Sequence, residues 1–210
     1  MEKAVTGIIL GGGEGRRMGM RKPGVLLNGK PLIGHAYDIL SQMTDTLLLS
    51  NGNGQPEWEG TLPVGDIFPG CGPAGGIYSA LSQSRSDLNV LLSCDMPFVT
   101  VELLQVLLDE AVRSDAAVTL PVDEKGFPQP LCAIYRKRFL PFLETALSEK
   151  KLKLVRIIEA AGSREELIAP GHPCYSPWLF RNINTPEELR EAEQRFREQN
   201  IKGSAGHSPA

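Results

Sequence analysis

The feature that most constrains this chain is an alternation. Short, continuously apolar runs are separated by stretches whose apolar residues recur at helical spacing. Val5–Leu10, Thr46–Ser50, Val90–Cys94, Ala116–Pro121 and Leu131–Arg136 read as strands. Leu32–Gln42, Gly75–Ser84 and Val101–Arg113 read as helices, followed by Arg138–Ser148 and Leu152–Ala161. A short strand at Trp178–Ile183 and a last helix at Pro186–Gln199 complete the pattern. Strands with no polar alternation are buried on both faces, and a mostly parallel sheet between two helical layers buries them so. The expected fold class is therefore α/β, a single-domain three-layer sandwich. In such sheets ligands bind beyond the carboxyl ends of the strands.

No internal repeat or linker interrupts the pattern, and 210 residues suffice for one substantial core. Residues 1–200 are expected to form that domain, and 201–210, with no hydrophobic cluster after Ile201, a disordered tail. In "NTPEEL", Thr185 offers an N-cap and Pro186 the first helical position. The net charge of -3 provides no basic field, so nucleic acid is not an expected partner. No apolar run approaches the roughly 20 residues that span a bilayer, and the first residues do not resemble a signal peptide. Cys71, Cys94, Cys132 and Cys174 form no C-x-x-C pair and read as free thiols, which fits a cytoplasmic protein.

Three segments carry chemistry. In "LGGGEGRRMGMRK" the first strand drops into glycines, and Arg16, Arg17, Arg21 and Lys22 follow. Glycines 11 to 13 let a ligand approach backbone N–H groups, and the cations suit an anion, a phosphate first. The loop is not a Walker A motif, since no G-K-[ST] follows, nor a dinucleotide fingerprint, whose third glycine is here Met18. In "NVLLSCDMPFVT", Asp95 lies just past a strand's end, where a carboxylate can hold Mg²⁺ against phosphates. The competing reading is a turn or capping Asp, with Thr100 as the cap of the next helix. In "VGDIFPGCGPAGG", Asp66 can accept two hydrogen bonds from a guanine edge or be a solvated turn residue. His35 reads as a partly exposed helix residue, and Cys94 as a small buried hydrophobe rather than a nucleophile.

In this order the segments resemble the molybdenum cofactor guanylyltransferases, members of the Rossmann-like nucleotidyltransferases. Leu10 to Gly19 with Lys22 matches the family's L-A-G-G-x-x-x-R-M-G and following Lys. Asp66, Pro69, Gly72, Pro73, Gly76 and Ile77 match D-x-x-P-x-x-G-P-x-x-G-[IL]; "SCDMPF", "QPLCAIYRK" and "NINTPEEL" match later segments. Gly11 replaces the usual Ala, and Arg21 stands where an Asp commonly precedes the Lys. Cytidylyltransferase relatives usually carry L-A-A-G, so Gly12 leaves room for guanine.

The resemblance implies a Rossmann-like fold of nucleotide-diphospho-sugar transferase type. It implies transfer of GMP from GTP to the terminal phosphate of molybdopterin, the pterin of molybdenum cofactor, with release of pyrophosphate. Arg16, Lys22 and Asp95 would be catalytic, with Asp95 the ligand of Mg²⁺. Leu10, Gly11, Gly12, Asn51 and Asp66 would hold the guanosine and Lys22 the phosphates. Asn182 and Asn184 match the pterin-side asparagines, their alternative being capping before Thr185. Cofactor-synthesis proteins and recipient molybdoenzymes would be partners. The alternatives are a nucleotidyltransferase using CTP or a sugar phosphate, and a non-catalytic carrier of the cofactor.

Overall fold

A computed structural model of the protein describes residues 4–12, 24–52 and 58–204. Its centre is a seven-stranded sheet. In chain order the strands are β1 (Val5–Leu10), β4 (Leu47–Ser50), β5 (Leu62–Val64), β6 (Leu88–Ser93), β7 (Val118–Asp123), β8 (Cys132–Arg136) and β9 (Ser163–Ile168). A separate hairpin, β2 (Leu26–Leu27) and β3 (Lys30–Pro31), turns at Asn28 and Gly29, with φ of 51° and 79°. Two positive φ values in a two-residue loop are what Asn-Gly tolerates.

The spatial order is β5-β4-β1-β6-β8-β7-β9. All strands run one way except β8, which is antiparallel to both β6 and β7. The connection from β7 to β8 is a short hairpin, too short for the crossover that parallel pairing needs. The sheet is thus a mostly parallel one with a single reversed strand, as its apolar runs imply.

Side-chain alternation divides the core into two layers. Ile8, Leu10, Leu48 and Leu91 face one side with α2 (Gly72–Gln83), α4 (Leu140–Ser148) and α5 (Leu154–Ala161). Ile9, Leu47, Leu49, Val90 and Leu92 face the other with α1 (Leu32–Leu40) and α3 (Val101–Arg113). A smaller cluster joins Val25, Leu27, Leu32 and Ile183 to Ala192 of α6 (Pro186–Ser204). Thr100 caps α3, its Oγ1 accepting from Leu103 N at 3.3 Å. Thr185 caps α6 in the same way at 3.2 Å. Glu188 reciprocates, accepting from the N–H groups of Asn184 and Thr185, which makes a full capping box. Among the described residues no helix is long and apolar enough to cross a membrane.

Three expectations are corrected. Trp178–Ile183 is a turn and loop, not a strand. Its apolar residues serve different clusters: Leu179 packs with the α1–α3 layer and Ile183 with the α6 cluster. α6 continues past Gln199 to Ser204, into the stretch expected as tail. Strands β5 and β9 and the β2–β3 hairpin were absent from the reading of the sequence.

All four cysteines are free. Burial pushes the Cys132 thiol far above its ordinary range. A thiol reagent such as DTNB is therefore expected to leave Cys132 unlabelled in the native protein and to label it only after denaturation. Native-state labelling of Cys132, read by peptide mass mapping, would contradict its packing.

Candidate active site

Because β5, β4, β1 and β6 are neighbours and parallel, their carboxyl ends share one edge. Register aligns them closely. Ser50 pairs with Val64, Leu10 pairs with Ser50, and Leu10 pairs with Ser93. Two residues further along each strand come Asp66, Gly52, Gly12 and Asp95. These residues stand just past the strand ends, so the aligned register brings their backbones to one edge. The ladders extend past the strand ends: Gly11 N donates to Ser50 O at 2.8 Å, and Cys94 N to Leu10 O at 3.0 Å.

Asp95 is only 7% exposed. Ser93 Oγ donates to its Oδ1 at 2.6 Å, and Met96 N donates to Ser93 O at 3.2 Å, closing a turn at the strand end. The carboxylate is thus positioned by the strand that carries it. Ile183 N donates to the Asp95 main-chain carbonyl at 2.9 Å. That bond brings the flanking Asn182 and Asn184 beside Asp95, from a segment far away in sequence. Asn182 is exposed and Asn184 half-buried. Aromatic contacts anchor the same region: Phe98 meets Trp178 at 5.3 Å and Phe196 at 5.2 Å between ring centroids.

On the other side of β1, Asn51 is 8% exposed and follows β4 directly. Asp66 follows β5 by two residues, and Ser79 of α2 lies within 3.4 Å of its Oδ1. Ser79 Oγ also accepts from Ile67 N at 2.9 Å, so α2 pins the Asp66 turn. Gly75 and Gly76 of "GPAGG" do a different task from cradling a ligand. A Cβ on Gly76 would stand 2.9 Å from Ser50 Oγ and 3.0 Å from Leu10 Cδ1. One on Gly75 would stand 2.7 Å from Phe68 O. These two glycines allow the first turns of α2 to pack against the strand tips and the Asp66 loop. Gly12 differs, since a Cβ there meets nothing within 4 Å. Among the described residues nothing covers Gly12.

The structure therefore brings Leu10, Gly11, Gly12, Asn51, Asp66 and Asp95 to one edge and sets Asn182 and Asn184 beside it. Arg16 and Lys22 lie outside the described residues. Ser93 and Ser79 are contributors that the reading of the sequence missed. Ser93 had a usable signal, standing at the end of the strand two residues before the acid. Ser79 had none, because its partner lies across a helix–loop contact. Among the described residues no three His, Cys, Asp or Glu side chains gather as a metal cage. A carboxylate at a strand tip would suit an ion held mainly by phosphates and water.

Comparison with known proteins agrees with this architecture. The family model described as MobA-like NTP transferase domain matches residues 7–165. A molybdenum cofactor guanylyltransferase of Pseudomonas putida is 34% identical over 192 residues, spanning 88% of this chain and 95% of that protein. One of Vibrio cholerae is 31% identical over 192 residues, spanning 88% of this chain and 89% of that protein. The crystal structure of molybdopterin-guanine dinucleotide biosynthesis protein A from Archaeoglobus fulgidus superposes with a TM-score of 0.79 at 28% identity, covering 92% of this chain and 99% of that one. At 15% identity and a TM-score of 0.67, the 2-C-methyl-D-erythritol 4-phosphate cytidylyltransferase of Thermus thermophilus shares the fold, over 90% of this chain and 98% of its own. A mostly parallel sheet with its acid, amide and glycine tips in one row, matched by these relatives along most of its length, places the chain in the MobA-like NTP transferase domain family.

Proposed function

We propose that the chain transfers GMP from GTP to the terminal phosphate of molybdopterin, forming molybdopterin guanine dinucleotide and releasing pyrophosphate. The observation that carries this reading is the row of Asp66, Gly12 and Asp95 across adjacent strand tips, in a chain of this family. A nucleotide laid along that row has its base toward Asp66 and Asn51 and its phosphates toward Asp95. Asp66 and Asn51 would meet the guanine and ribose donors, and the backbone of Leu10, Gly11 and Gly12 would lie against the nucleoside. A Cβ at Gly12 would meet no described residue within 4 Å, which suits close approach of a purine to this backbone.

In the reaction an oxygen of the acceptor phosphate attacks the α-phosphorus of GTP. One P–O bond forms, the α–β bridging P–O bond breaks, and its electron pair leaves with pyrophosphate. A phosphate monoester is mostly ionised near neutral pH, its second pKa being about 6, so no strong general base is required. The work left to the protein is alignment and charge stabilisation. Asp95, fixed by Ser93, fits Mg²⁺, which when bound neutralises phosphate charge between substrates. Arg16 and Lys22 are proposed, on the family resemblance, to meet the triphosphate and the leaving group. Asn182 and Asn184 are proposed to hydrogen-bond the acceptor, which the Ile183–Asp95 bond supports by holding them near the phosphates. The proposed domain spans 1–200, and its free thiols fit a cytoplasmic enzyme served by cofactor-synthesis proteins and recipient molybdoenzymes.

The test is direct. Protein, Mg²⁺ and phosphorylated pterin cofactor are incubated with GTP or with CTP, and pyrophosphate is measured. Release with GTP, exceeding that with CTP by about tenfold or more, is expected from a site that distinguishes base edges by hydrogen bonds. Preference for CTP would overturn the nucleotide assignment, and pterin retention without any turnover would favour a carrier.

A further inference from the structure

β7 and β9 run in the same direction as β6, so their carboxyl ends reach the same edge as Asp95. β8 alone separates β6 from β7, which puts β7 two strand spacings, about 10 Å, from the strand carrying Asp95. At the tips of β7 and β9 a cavity of about 420 Å³ opens, walled by Glu124, Lys125, Ile168, Tyr175, Phe180 and Arg181. It lies on the opposite side of Asp95 from the row assigned to the nucleotide. The chain connects the two places, since Arg181 is two residues before Ile183, the partner of Asp95.

The walls are held in place. Asp123 Oδ1 accepts from the N–H groups of Lys125 and Phe127, both at 2.9 Å, so the turn bearing Glu124 is fixed. The Tyr175 hydroxyl donates to Glu124 Oε2, and that bond raises the phenol above its ordinary range, keeping it a donor. Arg181 stacks over Trp178 at 5.3 Å and pairs with Glu191 of α6 at 3.3 Å. Glu124 forms no ion pair with any described residue, although Lys125 adjoins it in sequence. A carboxylate oriented by a tyrosine, with no ion pair among the described residues, is matched to a ligand that brings its own N–H donors. The nearby Lys125 and Arg181 suit anionic groups on the same ligand, and Tyr175 and Phe180 offer aromatic surface to a flat ring.

We propose that this cavity seats the pterin ring of the acceptor and that Glu124, held by Tyr175, reads the ring's adjacent amino and ring N–H donors. The inference rests on the guanylyltransferase reading and adds its acceptor-specificity residue. The pyrimidinone edge of a pterin presents those two donors side by side, and a carboxylate accepts such a pair in parallel. With the ring here and the nucleoside beyond β1, the two substrates approach Asp95 from opposite sides.

The experiment compares wild type, Glu124→Gln, Glu124→Ala and Tyr175→Phe. Phosphorylated pterin is titrated without GTP by fluorescence, and steady-state rates are then measured with each substrate varied. Glu124 is exposed, so its replacement leaves the fold intact, which an unchanged melting temperature checks. Glu124→Gln and Glu124→Ala are expected to weaken pterin binding and raise the acceptor KM by about tenfold or more, the value of a charge-assisted hydrogen bond. Tyr175→Phe is expected to act in the same direction, less strongly. The GTP KM and the rise in melting temperature with GTP and Mg²⁺ should not move. Unchanged pterin affinity and acceptor KM in both Glu124 variants of an active enzyme overturns the proposal and spares the guanylyltransferase reading. A wild-type chain that neither binds pterin nor transfers GMP overturns both.

Discussion

Asp95→Ala is expected to lower the rate of GMP transfer by about 1,000-fold or more, roughly 4 kcal/mol of transition-state stabilisation, while the protein stays folded. The expectation follows from how the residue is held. Asp95 stands at the tip of a central strand, almost wholly buried, with Ser93 fixing one carboxylate oxygen. A group oriented before substrate arrives loses its whole contribution when removed, because no neighbour can turn to replace it. The structural consequences are small. The bond from Ile183 reaches the Asp95 main chain, which alanine keeps, and α3 begins on its own Thr100 cap. The losses to stability include the Ser93 hydrogen bond, on the order of 1–3 kcal/mol. Pyrophosphate release and a circular-dichroism melt on the same sample separate the two effects. An Asp95→Ala protein that melts near wild type and still turns over at a comparable rate would remove the acid from the mechanism.

Phe139→Ala should do the reverse, costing about 3–5 kcal/mol of stability with no direct effect on the chemistry. Phe139 is fully buried at the junction of β8 and α4, and its ring centroid lies 5.3 Å from that of Tyr135. It packs in the cluster that joins α2, α4 and α5 to the sheet. Truncation leaves a cavity that rigid neighbours cannot close, since Tyr135 is tethered through its hydroxyl to Pro130 O at 2.8 Å. Against a total of about 5–15 kcal/mol this is a large share, and a fall in melting temperature of about 6–20 °C is expected. Urea denaturation measures it. A change below about 1 kcal/mol would mean that this layer is loosely packed.

Much of the fold was legible because local signals agreed with tertiary demand. β1 and α3 have the expected bounds: one is an apolar run ended by glycines, the other a periodic segment with a Thr cap. The elements missed were those whose pairing depends on the backbone. β9 reads "SREELI", with a single buried residue, and pairs on one side only, with β7. β5 contains Pro63 and is an edge strand, where proline's missing donor is tolerated. The false strand at 178–183 arose because apolar composition does not say which core each side chain enters. Among candidate site residues, Asp95 and the glycines carried their own signal. Glu124 carried none, being one of two adjacent acids in a polar turn.

The sequence alone determined a parallel α/β sheet, the caps of its two best-marked helices, and an acid placed directly after a buried strand. Hydrophobic periodicity and capping chemistry act over a few residues, so they are written in neighbouring positions. Only the tertiary structure decided that the tips of β5, β4, β1 and β6 align in one row, and that residues near 124, 175 and 181 close a cavity beside it. Strand order and register come from backbone ladders and long-range packing, and the hydrogen bonds of a ladder are the same whatever side chains they join.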